Sequence, residues 1–214
     1  MILAIEGIDG AGKNTLAGAV ADLLAASGRT VARAAFPAYG ETVFADLADD
    51  ALHGRLGDVA DSAWAMAVLF AADRHDRLPE LERLEASTDV LLLDRWVASN
   101  AAYTWARTGD EAVVTWLEEL EFGRFGLPRP DLTVYLEATP QLAAGRAASR
   151  EMADASRTRD RYERDAGLQA ATADAYSRLA ERSFGGPWTV VAAGASPAES
   201  ARRVVGALVA PPGR

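Results

Sequence analysis

No cysteine occurs among the 214 residues, so neither a disulfide framework nor a thiolate metal site can be built. Histidine occurs only as His53 and His75, too few and too isolated for a histidine metal site. No apolar run approaches the ~20 residues of a membrane span, and neither an internal repeat nor a low-complexity linker is present. Met1 runs straight into the first expected strand, so no signal peptide is expected and the cytoplasm is the expected compartment. Positive charge is in deficit: the formal net charge of −9 argues against a nucleic-acid surface. With 50% hydrophobic and 25% charged residues, the composition is that of a globular protein. Its length supports one large domain, residues 1–214, with a substantial core. Lysine is almost absent. Of the 22 basic residues all but Lys13 are arginine.

That one lysine stands in Glu6-Gly7-Ile8-Asp9-Gly10-Ala11-Gly12-Lys13-Asn14-Thr15. The apolar run Ile2–Ile5 leads into it and a helical pattern, Leu16 to Ala26, follows. Strand, glycine-rich turn and helix form the context of a phosphate-binding loop. The glycines let successive N–H groups point inward, and with the helix N-terminus they make a concave anion site. Lys13 adds a compact charge for the β- and γ-phosphates, a position where a planar guanidinium does not substitute freely. The alternative is a glycine-rich turn after an edge strand, and the retention of the only lysine here favours phosphate. One departure stands out: Asn14 follows the lysine where the pattern has a hydroxyl, and Thr15 comes one place later.

Taken in order, strands are expected at Thr30–Phe36, Val90–Asp94, Leu132–Leu136 and Trp188–Ala192 in addition to the first. Helices are expected at Glu41–His53, Asp61–Leu78 with a kink or restart at Pro79, Ser99–Arg107, Asp110–Phe125, from Pro140, Tyr162–Arg182 and Pro197–Val209. Alternating strands and helices predict an α/β fold, a parallel sheet of about five strands with helices on both faces. In such sheets ligands sit beyond the carboxyl ends of the strands. That directs attention to Asp9, Phe36 to Tyr39, Asp94-Arg95 and Ala193-Gly194.

Asp94 ends an apolar strand, the placement of an acid that holds Mg²⁺ or its water shell. Arg95, next to it, suits bidentate phosphate contact, with a surface salt bridge as the alternative. Helical spacing puts Ser99 or Asn100 on one face with Tyr103: either readers of a base edge and a sugar, or a helix cap beside a core tyrosine. Phe70 and Arg74 also share a face, where they could stack and donate to a planar ring or merely combine core and solvent positions. From Arg146 to Arg164 six arginines (146, 150, 157, 159, 161, 164) alternate with acids. Such a run is usually a solvated face. Its place between the last two strands favours a phosphate-clamping lid at about residues 146–161.

Together these stretches resemble the thymidylate kinase family, over nearly the whole chain. The resemblance rests on Gly7–Thr15, Phe36-Pro37-Ala38-Tyr39, Phe70 to Arg74, Asp94-Arg95-Trp96-Val97-Ala98-Ser99-Asn100 and Arg159-Asp160-Arg161-Tyr162-Glu163-Arg164-Asp165. It is strongest toward the mycobacterial and actinobacterial members. It implies a P-loop nucleoside monophosphate kinase fold, with ATP as donor, dTMP as acceptor, Mg²⁺ as cofactor and a homodimer. It also implies roles. Phe70 stacks on thymine, Arg74 and Asn100 bond its edge, and Phe36 and Pro37 border the methyl pocket. Tyr103 crowds the 2′ position, and Ser99 and Tyr162 belong to the substrate side. Tyr39 and Arg95 hold the acceptor phosphate. Asp9, Asp94 and Glu163 serve the metal, Asp9 also lying near the 3′-hydroxyl. Gly7, Asp9, Gly10, Ala11, Gly12, Lys13, Asn14, Thr15, Arg146 and Arg157 bind the donor, with residues Ala193 to Pro197 flanking adenine. The catalytic set is Lys13, Arg95, Arg150, Asp9 and Glu163.

Relatives often carry arginine where Ala38 and Ala153 stand, and tyrosine in place of Trp96. Asn14 leaves the metal without its usual hydroxyl, so phosphates, water and acids are expected to hold it, helped by the Asn14 carbonyl oxygen. Some members place an arginine at the position of Gly10, whereas others supply that charge from the lid, and this chain is expected to be of the second kind. Three rivals remain: a kinase for a different small substrate, a non-catalytic nucleotide-binding partner, and a GTP switch. The last needs an Asn-Lys-x-Asp motif, which a chain whose only lysine is Lys13 cannot contain.

Overall fold

The computed structural model describes residues 1–153 and 160–209, apart from the side chains of Ala148, residues 150–153 and Val209. Five strands form one parallel sheet: β1 (Ile2–Glu6), β2 (Val31–Ala35), β3 (Val90–Asp94), β4 (Leu132–Glu137) and β5 (Trp188–Ala192), in the order β2-β3-β1-β4-β5. β1 lies at the centre with all five residues buried, which explains its unbroken apolar run. The chain leaves β1 toward one edge of the sheet and later returns to fill the other, so the carboxyl end of β1 faces the crevice where the strand order reverses. Register places Ile5 beside Asp94. The loops after β1 and β3 therefore meet there.

Ten helices surround the sheet among the described residues: α1 (Lys13–Ala26), α2 (Val43–Leu52), α3 (Ala63–Asp76), α4 (Leu78–Ser87), α5 (Val97–Thr108), α6 (Ala112–Glu118), α7 (Pro140–Ala153), α8 (Arg161–Arg164), α9 (Ala166–Glu181) and α10 (Pro197–Val209). α1 packs on α10, and α5 packs on α9.

The long helix, expected to be capped by Asp61 or Ser62 and to kink or restart at Pro79, does both: Val59–Asp61 is a 3₁₀ turn and Ser62 caps α3, its hydroxyl accepting from the Ala65 N–H at 3.1 Å. Arg77 then serves as the joint to α4, whose first turn tolerates Pro79 because that N–H has no partner there anyway. Two expected helices are divided. The helix expected over 110–125 becomes α6 followed by a π-helical turn, Glu119–Arg124. That wider turn carries Glu121 into the interior. The helix expected from Tyr162 is broken at Asp165, whose carboxylate caps α9 through the Leu168 N–H at 2.9 Å. The short α8 before it is closed by a reciprocal capping box between Asp160 and Glu163.

Candidate active site

The loop after β1 is shaped by its glycines. Gly12 takes a left-handed conformation (φ 103°) and caps α1 without a side chain, leaving the first-turn N–H groups to face an anion. Gly10 (φ 79°) lies against the start of α7: a Cβ there would fall 2.1 Å from the Ala143 carbonyl oxygen. An arginine at this position, as some family members carry, cannot coexist with α7 where it stands. Lys13 is buried, and its Nζ donates to the carbonyls of Gly7 (3.0 Å) and Ile8 (2.9 Å). Burial, followed by the Arg95 guanidinium, lowers its pKa to about 8 against the pull of Asp9, Asp94 and Glu6. Arg146 reaches from α7 to the Ala11 carbonyl (2.6 Å) and the Ala193 carbonyl (3.0 Å), stapling the loop to the turn after β5.

Arg95 is the hub of the next layer. It adopts a positive φ of 68°, sparsely populated for a non-glycine residue and sustained by its surroundings. Its Nη1 donates to the Gly7 carbonyl (3.0 Å) and the Ser99 hydroxyl (3.2 Å), and its Nη2 forms an ion pair with Asp9. The other oxygen of Asp9 accepts from the Tyr103 hydroxyl at 2.5 Å. Burial pushes the Asp9 carboxyl up, but Arg95 and Lys13 together outweigh it and bring its pKa down to about 2. Behind this pair Glu6 is fully buried and accepts from the Trp96 N–H (2.8 Å), the Ser99 hydroxyl (2.6 Å) and Tyr176 (3.0 Å). Burial raises its pKa.

Two connected hollows result. The larger, about 1190 Å³, is lined by Asp9, Gly10, Gly12, Lys13, Asn14, Thr15, Asp94, Arg95, Arg146, Asp160 and Glu163 among others. The smaller, about 80 Å³, is lined by Phe36, Pro37, Tyr39, Phe70, Arg74, Ser99, Asn100, Tyr103 and Tyr162. Asp9, Phe36, Pro37, Tyr39, Arg95 and Asp160 border both. The structure thus brings nearly all the sequence-identified side chains to one crevice. Arg150 lies on α7 with its side chain outside the described residues, and Arg157 and Arg159 fall outside them altogether.

Asn14 borders the larger hollow. It is exposed, and its carbonyl oxygen accepts from Arg33 at 2.9 Å, so that oxygen already has a cationic partner. The carboxylates of Asp9, Asp94 and Glu163 line one cleft. Among the described residues no group of three His, Cys, Asp or Glu side chains is gathered closely enough to hold a metal by itself.

Several residues of the site escaped the sequence reading. Asp73 is buried and accepts from the Ala38 N–H (3.1 Å) and the Thr42 hydroxyl (2.5 Å), fixing the 36–39 loop. Gln169 of α9 donates to the Tyr162 carbonyl (2.9 Å) and accepts from the Asp9 N–H (3.3 Å). Glu121 holds Arg74 and Asn100. Only Glu6 carried a readable signal, an acid ending an apolar strand just as Asp94 does; the others are ordinary polar residues in helical stretches.

A phosphate-binding loop at the switch point of a parallel sheet, joined to a second, aromatic-lined hollow, defines a P-loop kinase for a small substrate. The chain belongs to the thymidylate kinase family: the family model described as "Thymidylate kinase" matches residues 5–204. It is 46% identical over 215 aligned positions to the thymidylate kinase of Mycobacterium tuberculosis, covering 99% of this chain and 98% of the relative. A probable thymidylate kinase of Thermococcus onnurineus is 31% identical, with 85% of each chain covered. The thymidylate kinase of a Synechococcus strain is 36% identical over 70% of this chain and 71% of its own. The protein is accordingly an ATP-dependent kinase that phosphorylates dTMP to dTDP.

Proposed function

We propose that the larger cleft holds ATP and the smaller hollow holds the thymine of dTMP, whose sugar and phosphate extend to the border the two share, with the γ-phosphoryl passing beside Asp9 and Arg95. The observation that carries this arrangement is the shared border: the residues common to both hollows include the arginine and the carboxylate that the reaction needs at its centre. The loop N–H groups and Lys13 bind the donor phosphates, and Arg146 and the Ala193 turn border the adenine end. Phe70 stacks on the base, and Arg74 and Asn100 bond its edge. Phe36 and Pro37 border the methyl group, and Ser99 and Tyr162 complete the wall. Tyr39 and Arg95 receive the acceptor phosphate.

No side chain forms a bond to the substrate. Positioning and charge neutralisation account for the rate, with Arg95 and the lid arginines Arg150 and Arg157 bearing on the transferring group. The oxygen donors present suit Mg²⁺, which is bound through few carboxylates with water and substrate phosphates completing the shell. Asp9, Asp94 and Glu163 are the residues that would hold it, and when bound it supplies positive charge to the phosphates.

We assign the whole chain to one domain with a lid at about 146–161, acting in the cytoplasm. None of the described helices is long and apolar enough to cross a membrane. A homodimer is supported by Val43, Phe44, Trp64 and Val68 on α2 and α3, apolar side chains left 37–69% exposed. The deciding experiment is coupled ADP release against a panel of monophosphates and nucleosides. Turnover with dTMP far above the other substrates supports the assignment, and faster turnover of another acceptor overturns it.

A further inference from the structure

Glu121 lies behind the wall of the smaller hollow rather than in it. It is fully buried in the π-helical turn after α6, and its carboxylate grips two residues that do line the hollow. Arg74 presents the Nε and Nη2 side of its guanidinium, at 2.5 and 2.9 Å, as a fork. Asn100 donates its Nδ2 to Glu121 at 2.8 Å and to the Ala67 carbonyl at 2.9 Å. Both donor hydrogens of that amide are therefore taken up by acceptors. Turning the amide over would point its oxygen at two other oxygens, so the network dictates the orientation. What remains on Asn100 is an acceptor, Oδ1, whose one partner among the described residues is the Thr104 hydroxyl at 3.3 Å. What remains on Arg74, outside the fork, are donors: both hydrogens of Nη1 and the second of Nη2.

We infer that Glu121 is a positioning residue for base selection: by consuming the Asn100 amide donors and one side of Arg74, it leaves the hollow an acceptor beside a donor. This rests on the assignment of the hollow to the pyrimidine. A 4-keto pyrimidine offers the matching pair, a donor at N3 and an acceptor at O4. A 4-amino pyrimidine offers the reverse and leaves buried groups unpaired, the situation in which hydrogen-bonding sites discriminate most strongly.

The test is Glu121→Gln, which exchanges one acceptor for a donor and lets the Asn100 amide turn. The comparison is kcat/KM for dTMP against 5-methyl-dCMP, which keeps the methyl group and reverses the edge. The expected result is a dTMP preference reduced about tenfold or more, with a raised KM for dTMP and an ATP KM within about twofold of the parent. A folded variant whose preference is unchanged, both acceptors falling by one factor, overturns the inference and leaves Glu121 a structural residue. Phe70→Ala separates the two assignments: if it too leaves the dTMP KM unmoved, the pocket itself has been misplaced. Should Glu121→Gln not fold, NMR of the isotopically labelled parent protein decides. The Asn100 side-chain NH₂ is expected to be protected from exchange both in the free protein and with dTMP bound. Rapid exchange in either state overturns it.

Discussion

The donor cleft and the base hollow are made in opposite ways. The first centres on one contiguous segment, Gly7 to Thr15, which offers backbone N–H groups and a single cationic side chain, Lys13, with Asp94, Arg95, Arg146, Asp160 and Glu163 closing it from other elements. The second is assembled from side chains on α3, α5 and the segments after β2 and before α9, and it is held from behind by Glu121, Asp73 and Gln169. A triphosphate is recognised by charge and by repeated N–H groups, which a short loop can offer. A base is recognised by a fixed donor–acceptor order, which requires locked side chains and a second layer to lock them.

The largest effect is expected at the donor loop. Lys13→Ala should lower kcat by on the order of 10³, within the range known for charges on a transferring phosphoryl. Lys13→Arg should be nearly as damaging, because Nζ is enclosed by the Gly7 and Ile8 carbonyls and a planar fork does not fit. Near-parent turnover of the arginine variant by steady-state assay would sink the loop assignment.

Arg150→Ala should lower kcat by at least about tenfold while the dTMP dissociation constant, read by calorimetry, barely moves. A guanidinium that meets charge only as the phosphoryl transfers acts on the barrier and not on ground-state binding. A side chain at Gly10 would collide with the Ala143 carbonyl, which favours α7 over the loop as the source of that charge. An unchanged kcat would place the charge elsewhere.

On the acceptor side, Tyr103→Phe removes the hydroxyl that donates to Asp9 but keeps the ring. We expect a severalfold narrowing of the preference for dTMP over ribothymidine monophosphate, on the order of one net hydrogen bond, with the ATP KM unaffected. Equal losses on both acceptors would mean that the hydroxyl serves the fold alone.

The smallest effect separates the two regions by pH. Lys13 in the free enzyme titrates at about 8, and only its protonated form presents a cation to phosphate. The kcat/KM for ATP should therefore be full near pH 7, fall about twofold by pH 8, and continue down as pH rises further. The acceptor side relies on Arg95, which stays protonated throughout, so kcat/KM for dTMP measured at saturating ATP should hold over the same window. Parallel profiles would assign the titration to a group shared by both sites.

By itself the sequence determined whatever is local. Apolar runs marked the inner strands β1 and β3, because a strand buried on both faces needs no polar alternation. Glycine spacing marked the phosphate loop, and the single lysine within it stood out against a background of arginine. Helical spacing put Phe70 with Arg74, and Ser99 or Asn100 with Tyr103, on common faces, while the role of these faces came from the family resemblance. Tertiary structure alone decided the rest. Glu121 meets Arg74 across 47 positions and Gln169 meets Asp9 across 160, and no local pattern encodes a contact between segments so far apart. Asn14 looked like a replacement for a metal ligand until the fold brought Arg33 to its oxygen. Local segments state which groups are available. Only the packing of α3, α5, α9 and the π-helical turn around one crevice decides which hydrogen bonds those groups have left to offer a substrate.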